Sequence, residues 1–230
     1  MRPDTSDVAA RLARTGLPTG AARALAIVSA FEGGYDAIQT YDRAKFSWGF
    51  VQFAVTGGLP RLMQDLKTLA PAAFAEYFKA SGIDVGGGQL TIRMNGRSYR
   101  GRSVHDLLHD DPSLWTPFLK ASRIPAVQDV QVSNAHLYYY AHPLKAVVRL
   151  GVHDVTLGAL LAGSEHGRTV LCDRAVNRGV GHTTVLFRRA IQACGAATMD
   201  DVPAILERVR IMEAGHGARL DAIARQFEAP

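Results

Sequence analysis

Glu32 closes an amphipathic stretch, and the residues after it are polar, aromatic and glycine-rich: Phe31-Glu-Gly-Gly-Tyr35, then Asp36, Tyr41, Asp42, Ser47, Trp48 and Gln52. Glu32 lies four residues beyond Val28 and seven beyond Leu25, so its side chain continues an apolar stripe. A carboxyl on such a face is partly desolvated, and a helix C-terminus disfavours negative charge. Both effects favour the protonated form. A carboxyl that keeps its proton near neutral pH can act as a general acid toward the leaving oxygen of a glycosidic bond. That chemistry needs a second polar group across from the acid. Asp42, ten residues on, is the candidate, whereas Asp36 reads as a turn residue. Tyr35, Tyr41 and Trp48 are of the type that stacks on sugar rings, with core packing of a small lobe as their alternative use. Gln52 has an amide able to donate to a sugar hydroxyl or an N-acetyl carbonyl.

The surrounding pattern says what would hold these groups. Thr19 after Pro18 reads as an N-cap, and Leu25, Val28 and Phe31 recur at helical intervals until Gly33-Gly34. Residues 35–53 lose that period and read as irregular or short β structure. Helical spacing returns over 58–81 and predicts further helices near 103–109, 113–121, 125–141, 153–165, 168–178, 183–194, 201–213 and 217–227. Between them, Asn95-Gly96 joins two alternating runs over 89–100, the strongest short hairpin signal. The expected class is mainly α (α+β), with a small β lobe and an extra hairpin, as one two-lobed domain over 1–230.

Glu-Gly-Gly-Tyr, an Asp ten residues after the Glu, and Ser-Trp-Gly resemble the lysozyme-like superfamily, most closely phage-type muramidases. The segment Gly49-Phe-Val-Gln52 is similar to the Gly-x-x-Gln of lytic transglycosylases, where the Gln lines the sugar cleft. The resemblance covers about 30 residues in its motifs and implies a lysozyme-like fold for the rest. It implies that Glu32 is the acid, that Asp42 helps to activate water or stabilises charge, and that Ser47 positions the water. The implied activity is cleavage of β-1,4 bonds in peptidoglycan, without metal or cofactor. A lytic transglycosylase, a chitinase or chitosanase, and a non-catalytic wall-binding protein are the competing expectations.

A second polar cluster, Asp173-Arg-Ala-Val-Asn-Arg-Gly-Val-Gly-His182, reads as a turn between two helices. Asn177, Arg178 and His182 are candidate substrate contacts there, with helix capping as the plainer use. The histidines at 136, 142, 153 and 166 lack metal-ligand spacing. Gly163-Ser-Glu-His-Gly167 does not place its Ser as a nucleophile elbow would. The two cysteines, Cys172 and Cys194, exclude a disulfide scaffold and read as two buried thiols or as one bridge.

The chain of 230 residues carries 26 Lys+Arg against 21 Asp+Glu, a net charge of +5, and 21 of those cations are Arg beside 34 Ala. GC-rich coding explains much of that bias, but a basic protein also favours an acidic partner. Arg93, Arg97, Arg100 and Arg102 gather around the hairpin as a basic protrusion. No nucleic-acid reader module accompanies them, so an acidic polysaccharide is the expected partner of a monomer. No apolar run reaches the roughly 20 residues that span a bilayer. The start, Met1-Arg-Pro-Asp-Thr-Ser-Asp7, lacks an apolar signal region. Cytoplasmic synthesis followed by release or delivery to the wall is therefore expected.

Overall fold

The computed structural model describes residues 6–41 and 44–228. The described chain is mainly helical with three small antiparallel sheets, an α+β architecture. It divides into two compact units: residues up to Arg11 with Ser29–Asn134, and Leu12–Val28 with everything from Ala135 onward.

Helix α1 (Ser6–Leu12) precedes α2 (Thr19–Glu32). Thr19 is the first residue of α2, and the Pro18 carbonyl accepts from Ala21 and Ala22 at 2.8 and 3.0 Å. The chain leaves α2 through Gly33, whose N–H donates to the Ser29 carbonyl at 2.8 Å. Gly33 has φ 125, and a Cβ there would lie 2.6 Å from that of Ala37. Only glycine permits this reversal. Gly33→Ala is expected to cost about 1–3 kcal/mol from the backbone alone, with the clash adding to it. Thermal denaturation beside Gly16→Ala, which has φ 67 but meets nothing within 4 Å, should show the larger loss at Gly33.

In the first unit, three two-residue strands, β1 (Ile38–Gln39), β2 (Ser47–Trp48) and β3 (Phe53–Ala54), pair antiparallel in the order β1-β2-β3. Ser47 faces Gln39 on one side and Ala54 on the other. Strands this short need outside support. Trp48 supplies it, packing edge-on to Phe118 and Phe78 with ring centroids 5.2 and 5.9 Å away. Phe46 meets Phe118 at 5.1 Å.

The periodic stretch 58–81 is not one helix. Helix α3 (Gly58–Leu69) buries Leu59, Leu62, Met63 and Leu66, and then the chain breaks at Ala70. Ala70 precedes Pro71, which excludes it from helical φ/ψ, and it sits at φ −133, ψ 54. Helical turns of varying width follow to Ser81. Strands β4 (Ile83–Gly86), β5 (Gln89–Met94) and β6 (Arg97–Arg100) then form a second sheet. Asn95 and Gly96 both have positive φ (52 and 74), as the two-residue hairpin predicts. The extra strand β4 joins through Gly87-Gly88, a second turn with both φ values positive. Helices α4 (Arg102–Asp110), α5 (Thr116–Ala121) and α6 (Pro125–Ala135) follow.

In the second unit, six residues after α6 continue with wider helical turns, and His142–Leu144 adds one more turn. The predicted helix over 153–165 is corrected. Residues His153–Thr156 are strand β8, paired with β7 (Val147–Leu150), and only Leu157–Leu160 is helical. Val147–Leu150 alternates exposed and buried, and Gly151 at φ 57 turns it back on its partner. Helices α7 (Glu165–Arg178), α8 (Val180–Cys194), α9 (Val202–Met212) and α10 (Gly217–Ala224) complete the chain. Ser164 caps α7 by accepting from the Gly167 N–H at 2.9 Å, so this helix starts three residues before the predicted 168. No described helix is long and apolar enough to cross a membrane.

Candidate functional site

The turn after Glu32 is tethered on two sides. Gln52 is buried, and its Nε2 donates to the Glu32 carbonyl at 3.3 Å and to the Gly49 carbonyl at 3.1 Å. Its backbone is left-handed, at φ 53, a conformation that a non-glycine residue keeps only under tertiary constraint. Gln131 on α6 is fully buried and makes the other tether. Its Nε2 donates to the Tyr35 carbonyl at 3.2 Å, and its Oε1 accepts from the Phe50 N–H at 3.4 Å. The Gly49 N–H also donates to the Ala37 carbonyl at 2.9 Å. Gly49, at φ 91, leaves no room for a Cβ beside the Gln131 amide. The helix end that carries Glu32 and the turn that carries Gln52 are thus held to each other by amide groups.

Within this frame Glu32 is half-buried, at the last position of α2. The Gln52 amide spends its donors on two backbone carbonyls. Its buried Oε1 has no hydrogen-bond partner among the described residues. The donors that the sequence offered to a sugar are thus used inside the protein. Asp42 lies outside the described residues. Asp36 is exposed and lies in the turn that the Ala37 N–H closes on the Gly34 carbonyl at 3.1 Å, the place its reading as a turn residue gives it.

The aromatic expectations divide. Trp48 has 0% exposure and Tyr35 5%, the latter packed on Phe50 with centroids 5.2 Å apart, so neither ring has an open face for a sugar. Their stacking role is corrected to core packing: alternation and turn geometry drive both rings inward. Tyr41 is 83% exposed and remains available. Ser47 is 1% exposed inside the sheet, closed off from bulk water. Gln131 was not picked out from the sequence. Its signal was an amide on the stripe Val127, Val130, Gln131 and Asn134, where an apolar side chain would be ordinary.

Asn177, Arg178 and His182 belong to the second unit. Asn177 Nδ2 donates to the Asp173 carbonyl at 3.0 Å, so it serves the end of its own helix. Arg178 and His182 line a groove of about 350 Å³ formed with α8 and the end of α9. Behind that groove, Arg174 and Asp173 are both fully buried and bonded at 2.5–2.9 Å. Arg219 closes on the other Asp173 oxygen at 2.7 Å. Arg174 and Arg178 share Glu213 Oε2 at 2.8 and 3.1 Å. Burial opposes ionisation of Glu213, but the hydrogen bonds from Arg174 and Arg178 outweigh it and hold this carboxyl below its ordinary range. His216 is lowered first by burial and then by the nearby charges of Arg174 and Arg178.

Among the described residues, no group of three or more His, Cys, Asp or Glu side chains is placed to hold a metal ion. Both cysteines are free thiols. Cys172 is buried and Cys194 half-buried. Burial and the adjacent Asp173 charge push the Cys172 thiol far up, so the reactive thiolate is scarce there. Iodoacetamide at pH 8 is expected to label Cys194 in the folded protein and Cys172 only in denaturant. Mass mapping of the alkylated peptides checks this, and equal native labelling would contradict it.

Compared with known proteins, the chain matches no family model and no curated sequence.

Proposed function

We propose that the chain is a lysozyme-like glycosidase that cleaves β-1,4 bonds of peptidoglycan, with Glu32 as the general acid. The observation that carries this reading is the bond from Gln52 to the Glu32 carbonyl, which fixes the acid's helix end against the turn at Gly49–Gln52. Glu32 protonates the glycosidic oxygen as the C–O bond breaks, and positive charge develops on the sugar ring. Water then adds to the ring carbon, and its proton leaves to a base. Asp42 is the second carboxylate of this scheme. Ser47, enclosed in β2, supports the sheet in place of direct contact with that water. Gln52 positions the end of α2 through its amide, and Tyr41 offers an exposed ring for stacking.

The net charge of +5 disfavours chitosan, a polycation, and leaves neutral chitin as the competing polymer. Parallel incubation with peptidoglycan, chitin and chitosan, scored by new reducing ends, tests the assignment. Release from peptidoglycan above the other two supports it, and faster release from chitin would move it to a chitinase.

One observation favours a second reading, binding of an acidic polymer without cleavage. Arg93, Arg97, Arg100 and Arg102 are exposed around the hairpin, and none has an ion pair among the described residues. Arg93 and Arg100 share one face of the sheet, because Arg93 pairs with Ser98 and Arg100 with Thr91. Under the glycosidase reading, Arg97→Ala with Arg100→Ala weakens low-salt polymer binding and its salt dependence but leaves turnover at saturating substrate unchanged. Co-sedimentation with peptidoglycan across a salt series, alongside the cleavage assay, separates the two. Binding without any cleavage in the parent protein would select the second reading.

A further inference from the structure

We infer that the groove between α8 and the ends of α7 and α9 binds a small organic anion, a carboxylate carrying a short apolar group. This site lies within the second unit and does not depend on the glycosidase reading. One of its two cations, Arg178, is set in place before any ligand arrives. Arg178 donates through Nε to Glu213 at 3.1 Å and keeps 46% of its side-chain exposure. Both terminal amino groups of Arg178 have no acceptor among the described residues. Arg189 lies seven residues along α8 from His182, on the same face, and has no ion pair among the described residues. Glu213 also lines the groove, and its Oε2 is already engaged by Arg174 from behind and by Arg178 alongside, at 2.8 and 3.1 Å. Arg189 adds a further positive charge at the rim.

The apolar part of the lining selects within the anions. Val185, Leu186 and Met212 line the groove together with the two arginines, and Met212 remains 40% exposed. A bare inorganic anion would leave this apolar surface wet, whereas a carboxylate with a short chain covers it. A planar carboxylate also matches the paired donors of a guanidinium that is already oriented. A volume of about 350 Å³ suits a small molecule or the last residue of a peptide. Both sources share the same chemistry, a carboxylate beside an aliphatic group.

Titration calorimetry with the full chain tests the inference, using hexanoate, hexanamide, N-acetyl-leucine and N-acetyl-leucinamide as probes. Each acid is expected to bind about tenfold tighter than its amide. Arg189→Gln should weaken the acids by a similar factor with the melting temperature unchanged, since Arg189 lies outside the buried network. Tighter binding of hexanoate than of N-acetyl-leucine identifies a free acyl anion as the ligand, and the reverse identifies a peptide C-terminus. Equal affinities for acid and amide, no saturation with any acid by about 10 mM, or an Arg189→Gln protein that binds as the parent does would each overturn it.

Discussion

Glu32→Gln is expected to remove wall-cleaving activity by about 10²–10⁴-fold, the usual worth of a positioned general acid, while leaving the fold intact. The tether from Gln52 reaches the backbone carbonyl of Glu32, not its carboxyl, and the Gln side chain has nearly the same shape. The substitution therefore takes away the transferable proton and keeps the turn. Coincident melting curves for the two proteins establish that the fold is retained, and release of soluble sugar measures the loss. Undiminished release from a folded Glu32→Gln protein would end the assignment. Asp42→Asn is the informative partner. Retained activity there points to a single-carboxylate lytic transglycosylase, and loss points to a hydrolase.

Asp173→Asn is expected to have the largest effect on stability, about 3–5 kcal/mol. Asp173 is fully buried and accepts from Arg174 on one oxygen and Arg219 on the other. The neutral amide leaves the fully buried Arg174 dependent on Glu213 and exposes Arg219 to an N–H donor it cannot use. Such a loss is a large part of the 5–15 kcal/mol that ordinarily separates folded from unfolded chains. The surface pair Arg11–Asp129, where the Asp129 side chain is 60% exposed, is the matched control. Asp129→Asn should cost about 1 kcal/mol or less. Urea melts of both variants read the difference directly. The same cluster sets an acid limit. Glu213 titrates below its ordinary value of 4.5 when folded, so it binds fewer protons than the unfolded chain at mildly acid pH. Its stabilising contribution is complete above that ordinary value and disappears as pH falls through the lowered one.

Several features were legible because local chemistry alone decides them. The end of α2 follows from Gly33-Gly34 and the hairpin from Asn95-Gly96, since both need positive φ that few residues accept. The short β character of 35–53 follows from its aromatic, aperiodic text, and the basic protrusion from four arginines close in sequence. The break at Ala70 was also written there, in the proline that follows it, but the strong leucine period over 58–81 hid it. Other features depend on partners distant in sequence. Whether Trp48 meets a sugar or the core is decided by Phe78 and Phe118, thirty and seventy residues away. β7 and β8 are strands only because each supplies the other's hydrogen bonds. The tether made by Gln131 requires α6 to lie beside the turn at Tyr35, which no local pattern states.

The central claim is that Glu32 breaks a glycosidic bond of the wall polymer by acid catalysis followed by addition of water. Mass spectrometry of the soluble products from purified peptidoglycan, run with the parent protein and Glu32→Gln in parallel, tests it most directly. The account predicts sugar fragments ending in a hydrated reducing sugar from the parent and none from the variant. Absence of sugar fragments from the parent, or the same fragments from both proteins, would contradict it.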